Sequence, residues 1–446
     1  MKKTKILLAI LFCMSGFVSA NAYDFVQGGI YYQFVVESSG VEVTYQDNNY
    51  QTYSGNVIIP ASVAYSGKTY PVTAIGAMAF AYSNVTSVTI PSSIERIKDG
   101  AFYECNSLNS PTIPTSVSVL GDAAFLGCRS ITSITLPEGI KKIGESAFFD
   151  CTKLASATFP STVKSIGRNA FSNCKSLTSL ALPTSVVSIG DDAFFGCDQL
   201  AIVSFPANIA QIGEGAFYGC TQLEAIPLPA TIEKLGDGAF YGCSRLQSVS
   251  VPKTAKTIPF GAFANCSNLQ EALLRNNLQT IGEYAFLGDN IGNMMIPVTV
   301  NSIKEGAFYA NQKPMVVIVF WQTPLSVPTG DHSPFYAVDL SRSQLLVPKN
   351  TDADYRAAPV WQDFGSIIAT YTGIKVVPET VHSYIADQRL YIDSSTAETI
   401  SLYSLTGQQL RRFNKSEGKT NYPVEGIQDR VLIVKGSSGW AEKLIR

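Results

Sequence analysis

The stretch Ile143-Gly144-Glu145-Ser146-Ala147-Phe148-Phe149-Asp150-Cys151 decides the fold, because its pattern returns along the chain at a nearly fixed interval. An alanine followed by a phenylalanine recurs eleven times, with intervals of 23 residues in eight cases and 22 in the first and last. The phenylalanines are Phe80, Phe102, Phe125, Phe148, Phe171, Phe194, Phe217, Phe240, Phe263, Phe286 and Phe308. Such a period indicates a solenoid, in which each repeat forms one coil that stacks on the next.

Each coil has three parts, which are clearest between Leu177 and Cys197. The L-x-x-L-x-L spacing that begins at Leu177 predicts a strand, and the proline after it ends the strand by removing a ladder donor. A second short strand leads to Gly190, which we expect to supply the backbone freedom for a bend. The remaining segment, Asp191 to Cys197, is predicted to form a helical turn that buries Phe194. Burial of one such ring contributes about 1.5–3 kcal/mol, so stacking of the coils should supply most of the stability.

These residues resemble a known family. The stretch IGESAFFDC, followed by an LxxLxLP unit, is similar to the leucine-rich repeats of the BspA-like surface proteins of anaerobic bacteria. The match fails locally at Lys98 and Lys304, where glycine is usual, at Pro259, and at Arg275, where the strand-ending proline is usual. The sequence therefore predicts a β-rich solenoid, a leucine-rich repeat array of about eleven 23-residue coils.

The ends of the chain have a different pattern. Residues 1–22 are expected to be a signal peptide, with lysines, an apolar run from Ile6 to Met14, and the A-x-A site Ala20-Asn21-Ala22. Residues 23–70 show short alternating runs that predict an N-terminal β cap. The leucine-rich repeat domain is expected over 71–371. Within it, 313–371 form degenerate repeats and a cap, in which Trp361 and Phe364 cover the last coil.

The segment 372–446 loses the period and is predicted to form a small antiparallel β-sandwich, with a turn at Thr406-Gly407. Its stretches ISLYSLTGQQL and VLIVKGSSGWAEKLIR resemble the C-terminal sorting domains of type IX secretion. The resemblance implies a sorting role, although Asp429-Arg430 stand where such domains commonly have Asn-Gly. An accessory sandwich domain is the alternative.

Charge and motifs argue against several functions. Charged residues make up only 15% of the chain and the net charge is −2, so neither nucleic acid nor an anionic membrane is an expected partner. After the signal segment no apolar run is long enough for a transmembrane helix. The two histidines, His332 and His382, lie outside the repeats, and carboxylates such as Asp191 and Glu214 read as solvated turn residues. We therefore expect no enzyme, no cofactor and no metal site.

Eight cysteines follow the signal segment at intervals of 23 residues: Cys105, Cys128, Cys151, Cys174, Cys197, Cys220, Cys243 and Cys266. Equivalent positions on successive coils lie about 4.8 Å apart with parallel side-chain directions, whereas a disulfide needs β-carbons about 3.8 Å apart. The outer repeats replace the cysteine singly, with Ser83, Asp289 and Asn311. The spacing therefore favours a buried ladder of free thiols over disulfides.

Two surfaces are candidate binding sites. Hydroxyl side chains recur at outward-facing strand positions, and the candidates among them are Ser133, Thr135, Ser156, Thr158 and Ser179. Aromatic residues recur directly after the repeat phenylalanine, and the candidates are Tyr218 and Tyr241. The plain alternatives are that the hydroxyls keep a repetitive sheet soluble and that the aromatics pack between coils.

The family resemblance implies an adhesin, secreted or displayed on the outer-membrane cell surface, that contacts host extracellular proteins or other cells. A glycan-binding surface protein without catalysis is the alternative. An enzyme would need a deep pocket that brings His332 together with acidic residues. No feature of the sequence predicts the oligomeric state.

Overall fold

The computed structural model describes residues 22–35, 39–47, 50–371, 382–386, 389–394, 397–403, 409–416, 418–424, 431–436 and 441–445. The predicted signal peptide lies outside these residues except for Ala22, as do the Thr406-Gly407 turn and Asp429-Arg430. The chain divides into two units, residues 1–175 and 176–446. The described residues form a β-solenoid of about 13 turns with coils of about 23 residues, which confirms the predicted fold class.

The first unit changes from antiparallel to parallel pairing. Its strands are β1 (Phe25–Gln27), β2 (Ile30–Phe34), β3 (Val41–Thr44), β4 (Ser54–Ile58), β5 (Ser62–Tyr65), β6 (Lys68–Ile75), β7 (Asn84–Thr89), β8 (Arg96–Ile97), β9 (Val119–Leu120), β10 (Ser133–Thr135), β11 (Lys142–Ile143), β12 (Ser156–Thr158) and β13 (Ser165–Ile166). Strands β1, β2 and β3 are antiparallel neighbours, whereas β3, β6, β8 and β9 form parallel pairs. Parallel pairs also join β4 to β7, β10 to β12 and β11 to β13, so successive coils add strands to parallel sheets.

The second unit continues the same arrangement. Its repeat strands are β14 (Ser179–Ala181), β15 (Ser188–Ile189), β16 (Ile202–Ser204), β17 (Gln211–Ile212), β18 (Ala225–Ile226), β19 (Lys234–Leu235), β20 (Ser248–Ser250), β21 (Thr257–Ile258), β22 (Glu271–Leu273), β23 (Thr280–Ile281), β24 (Asn293–Ile296), β25 (Ser302–Ile303), β26 (Val316–Val319), β27 (Gln344–Pro348) and β28 (Ser366–Tyr371). One sheet runs in the order β18-β20-β22-β24-β26-β27-β28, and a second contains β21, β23 and β25. Helical segments in this part of the chain are short: α1 (Asp352–Ala357) and 3-10 turns at Gly330–His332, Leu340–Arg342 and Trp361–Asp363.

The end of the chain forms two antiparallel sheets. Their strands are β29 (His382–Ala386), β30 (Arg389–Ser394), β31 (Glu398–Tyr403), β32 (Gln409–Lys415), β33 (Gly418–Pro423), β34 (Val431–Gly436) and β35 (Ala441–Ile445). The sheet orders are β29-β30-β33 and β32-β31-β34-β35. Buried side chains from both sheets share one core cluster, made of Leu390, Ile392, Ile400, Leu402, Val424 and Val434. This is the sandwich that the alternating pattern predicts.

The segment after the short strand differs from the prediction, because Asp191 to Cys197 is not a helical turn. Asp192 lies two residues before Phe194 and Gly196 two residues after it. Both have positive φ angles, of 53° and 67°. Alternate amides then donate to the next coil: Asp192 to Glu214 O, Phe194 to Ala216 O and Gly196 to Tyr218 O, at 2.7–2.8 Å. The amides between them close turns within their own coil. The turns of successive coils are therefore joined by a ladder of backbone hydrogen bonds, which a helical turn would not form.

The repeated glycine before this turn has a different role from the one predicted. In the quoted stretch, Gly144 lies directly against the preceding coil, where an added β-carbon would come within 2.5 Å of Gly121 O. Gly167 has the same relation to Gly144, with a β-carbon 2.8 Å from its carbonyl carbon. Neither residue has a positive φ. The glycine is required by the close approach of two backbones rather than by a bend.

The phenylalanines form the centre of the solenoid. All eleven are fully buried. Within each unit, successive rings stack nearly parallel at centroid separations of 5.0–5.8 Å. Tyr53 extends the column at its start by packing on Phe80, and Phe335 extends it by stacking on Phe308. Trp361 packs edge-on to Phe335, as expected for a residue that covers the last coil.

Phe194→Ala should lower the free energy of unfolding by about 3–5 kcal/mol, because the deletion leaves a gap in a stacked and fully buried column. Phe195→Ala is the matched control, since the neighbouring ring is only half-buried and should cost less. Denaturant melts of both variants measure the difference. A loss below about 1 kcal/mol for Phe194→Ala would contradict the role of the ring column.

Candidate binding surface

The hydroxyl columns lie on exposed strand positions. In the first unit Ser133 is in register with Ser156, and Thr135 with Thr158, and all four side chains are exposed. Ser179 is exposed in the second unit, where its register partner is Ile202. The structure therefore brings the first four predicted residues together in two columns. Hydroxyls at fixed spacing can donate and accept hydrogen bonds to a polar ligand.

The tyrosine column lies on the turns, in the second unit. The ring of Tyr218 stacks on that of Tyr241 at 4.5 Å and 3°, and Phe195 stacks on Tyr218 at 4.9 Å. All three rings are half-buried. Burial and the neighbouring Tyr241 raise the pKa of the Tyr218 phenol. The rings thus pack between coils and also remain partly exposed, so packing and binding are compatible interpretations of this column.

A third feature was missed by the sequence analysis. Phe260 is 50% exposed and packs edge-on to Tyr284 at 5.8 Å. Tyr284 packs edge-on to Tyr309, which stacks on Tyr336 at 5.6 Å. We call these four residues the aromatic patch. The available signal was that Phe260 occupies a position at which the neighbouring coils have acidic residues.

His332 lies beside this patch and not in a deep pocket. Its Nδ1 is 2.8 Å from Glu305 Oε2, and its side chain is 70% exposed. The Tyr284 hydroxyl donates to Glu305 Oε1 at 2.8 Å. The hydrogen bond from Tyr284, followed by that from His332, lowers the pKa of Glu305. This arrangement is an exposed polar cluster.

An ion-pair cluster in the first unit was also not predicted. Arg129 contacts Glu104 at 3.0 Å and Asp150 at 2.7 Å, so one guanidinium joins carboxylates from the coils on both sides. It also donates to Asn106 at 2.8 Å. Because each group is partly exposed, the ion pairs add little to the stability of the fold, and the cluster mainly sets the charge pattern of this surface.

The eight cysteines are free and buried. Thiols of this column donate to the backbone carbonyl of the repeat phenylalanine in the preceding coil, as Cys128 does to Phe102 O at 3.0 Å and Cys151 to Phe125 O at 3.2 Å. Burial raises the pKa of the Cys105 thiol to about 12. A protonated, buried thiol is neither a nucleophile nor a metal ligand, so this column is structural.

Asp289 stands in the same column and has a different environment. It is fully buried, and its Oδ1 accepts a hydrogen bond from the Cys266 amide at 2.9 Å. Its Oδ2 is buried without a hydrogen-bond partner. Desolvation raises the pKa of this carboxyl well above its ordinary range. Asn311, at the equivalent position, satisfies its amide through Ile291 and Lys313.

The described residues contain no group of three or more histidine, cysteine or acidic side chains arranged to hold a metal ion. No helix within the same residues has the length and hydropathy of a membrane span. The candidate binding residues are exposed or half-buried on stacked coils around a regular core. Fold and surface together define a leucine-rich repeat solenoid.

The family assignment follows from the repeats. The model of the BspA type leucine rich repeat region matches in six copies over residues 73–201 and 188–314, more than half of the chain. The chain belongs to this family, a family of bacterial surface proteins. The resemblance seen in the repeat stretch is thus confirmed. No curated protein matches the sequence.

Solved structures of bacterial repeat proteins are similar to this chain. A leucine-rich repeat protein from Bacteroides ovatus is 27% identical, with a TM-score of 0.53 over 80% of this chain and 100% of its own. A leucine rich cell surface protein from Faecalibacterium prausnitzii is 24% identical, with a TM-score of 0.41 over 64% of this chain and 91% of its own. The pneumococcal vaccine antigen PcpA is 18% identical, with a TM-score of 0.46 over 79% of this chain and 99% of its own. Of these three structures, only the Bacteroides ovatus protein has a TM-score above 0.5, and it supports the fold.

All eight cysteines from Cys105 to Cys266 should be alkylated when the protein is denatured without reductant, because each is a free thiol. The native protein should resist the same reagent, since the thiols are buried. Mass spectrometry of the peptides counts the labels, and a parallel reduced sample is the control. Pairs that label only after reduction would overturn the thiol ladder.

Asp289→Asn should stabilise the protein near pH 7 by about 1–3 kcal/mol, because folding at that pH must either protonate the buried carboxyl or bury its charge, and a neutral amide avoids both costs. The native state holds the Asp289 proton more tightly than the unfolded chain does. Wild-type stability is therefore fully present below the unfolded carboxyl pKa of about 3.9 and falls as the pH rises through the raised native pKa.

Urea melts at several pH values test this, and the gain from Asp289→Asn should disappear below about pH 4. Asn311→Asp is the reciprocal control and should destabilise near neutral pH. A constant difference between wild type and Asp289→Asn at every pH would show that the carboxyl is ionised in the native protein.

Proposed function

We propose that this chain is a non-catalytic binding protein of the bacterial cell surface, an adhesin that contacts host extracellular proteins or other cells. Its first 22 residues would act as the export signal, and residues 372–446 as a sorting or accessory domain. One observation supports the binding role above the others. The register between coils aligns exposed side chains into columns, as with Ser133 and Ser156.

Such columns suit recognition of a large partner. Each coil presents one residue of a column, and the buried ring stack fixes the spacing, so little conformational freedom is lost when a partner binds. Because the net charge is nearly zero, recognition of a partner would depend on local surface patches rather than on a long-range electrostatic field. Extended solenoid faces of this kind serve as binding surfaces in other repeat proteins.

Glycan binding is the second candidate, because Tyr218 and Tyr241 form a stacked column that remains partly exposed. An aromatic ring can pack against the apolar face of a sugar. In this version of the function the tyrosine hydroxyls and neighbouring polar groups would orient the sugar.

The full chain should bind saturably to at least one protein in a panel of immobilised extracellular matrix proteins, before and after enzymatic removal of their glycans. The double variant Tyr218→Ala/Tyr241→Ala should retain that binding. Its control is the double variant Tyr218→Phe/Tyr241→Phe, which keeps the stacked rings and removes only the hydroxyls. Absence of binding to every protein would contradict the adhesin role. Binding only to a sugar array, lost in the alanine variant, would establish the glycan alternative.

A further inference from the structure

One member of the aromatic patch of Phe260, Tyr284, Tyr309 and Tyr336 lies in a column of acidic residues, and that member is Phe260. Phe260 occupies the position held by Asp237 in the coil before it and by Glu283 in the coil after it. The Phe260 amide donates to Asp237 Oδ1 at 3.1 Å, and the Gly261 amide donates to Glu283 O at 2.9 Å. Both carboxylate side chains are exposed. Phe260 thus occupies the coil between those of Asp237 and Glu283, at the same position of the repeat.

The core does not explain why an aromatic residue is at this position. Phe260 has half of its surface in water, whereas Phe263 in the same coil is fully buried in the ring column. The neighbouring coils fold with an acidic side chain here, which accepts the backbone amide of the next coil, as Asp191 does from Glu214 at 2.9 Å. Phe260 replaces that acceptor with an apolar surface.

Tyr284 gives a second indication. Its φ of 53° lies in the left-handed region, where the adjacent coils have Gly261 and Gly306. The same left-handed conformation recurs at this position of the repeat in Met78, Ala123, Ser146, Asn169 and Asp192, so it belongs to the coil and fixes the direction in which the side chain projects. The Tyr284 ring lies over Gly306, where any β-carbon would collide with it. The backbone therefore holds the half-buried Tyr284 ring beside Phe260.

We propose that this patch binds a lysine or arginine side chain of a protein partner. The Phe260 and Tyr284 rings would contact the cation by cation–π attraction and its alkyl stem by apolar packing, while Asp237 and Glu283 would neutralise its charge. Two basic residues are found near Glu305: Lys304 precedes it in the sequence, and His332 pairs with it. The proposal rests on the proposed protein-binding function and names the chemistry of the contact.

The occupant is a basic peptide segment because of charge complementarity. A neutral sugar would use the rings and gain little from two flanking carboxylates, and an anionic ligand would be repelled by them. An apolar segment would leave both carboxylates beside an uncharged surface. Only a cationic side chain uses the ring and both carboxylates together.

The test measures binding of the full chain to a fluorescent peptide rich in lysine and arginine, with a glutamate-substituted peptide of equal length and neutral oligosaccharides as comparisons. Phe260→Leu keeps an apolar side chain and removes the ring, and it should weaken binding of the basic peptide about threefold to fivefold. Phe260→Trp should retain or strengthen binding. All these residues are at the surface, so melting curves should be unchanged.

The carboxylates have a matched control within their own column. Glu283→Gln should weaken binding of the basic peptide about threefold, whereas Glu214→Gln, two coils before Phe260, removes the same charge and should have no effect. Added salt should weaken wild-type binding. Equal effects of the two glutamine variants would indicate general electrostatic attraction and overturn the site.

Three other results would also overturn the proposal: no binding of the basic peptide, unchanged binding in Phe260→Leu, or binding of neutral oligosaccharides in preference to it. The matrix-protein panel separates this failure from that of the proposed function. If the panel protein still binds and Phe260→Leu changes nothing, the site is wrong and the adhesin role stands. If no panel protein binds, the adhesin role fails.

Discussion

The structure depends on one constraint, that within each unit a coil must place its phenylalanine ring directly over the ring of the previous coil. The rings are fully buried and 5.0–5.8 Å apart within each unit, and alternate amides of the turns around them donate to the adjacent coil. A single coil could satisfy neither the ring nor the amides. Stability therefore arises between coils, as expected for a quasi-one-dimensional protein.

The same constraint generates the surface. Because the ring and backbone ladders fix each coil on the next, exposed positions recur at nearly constant spacing, and a substitution at one of them changes the surface without disturbing the core. Phe260 illustrates this, since it replaces an acidic residue in a column and remains half exposed. Asp289 illustrates the opposite case, in which a substitution falls on a buried column and leaves a carboxyl oxygen without a partner.

Much of the architecture could be predicted from the sequence because the residues that recur with the repeat period are buried. The ring column and the free cysteines followed from the spacing of the repeats, and the C-terminal sandwich followed from the alternation of apolar and polar residues. The turn at Asp191 to Cys197 could not be predicted correctly, because its conformation is set by amides that donate to another coil, and a local pattern does not show those partners. The bend predicted for the repeated glycine was wrong for the same reason, since at Gly144 the glycine is required by the backbone of a neighbouring coil.

The surface could be predicted only in part. The hydroxyl columns of Ser133 and Thr135 and the stack of Tyr218 on Tyr241 follow from the repeat alignment. The aromatic patch was missed because its rings come from different positions of the repeat: Phe260 and Tyr284 precede the repeat phenylalanine, whereas Tyr309 follows it. Their proximity depends on how the turns project side chains, which the left-handed φ of Tyr284 determines.

Hydrogen exchange of the turn amides, followed by mass spectrometry, tests the stacking of the coils most directly. If the coils interlock as described, the amides of Ser146, Phe148 and Asp150 should exchange slowly, although they lie in turns, because they donate to Arg168, Ala170 and Ser172 at 2.8 Å. Exchange of these amides at the rate of an unstructured loop would contradict the account.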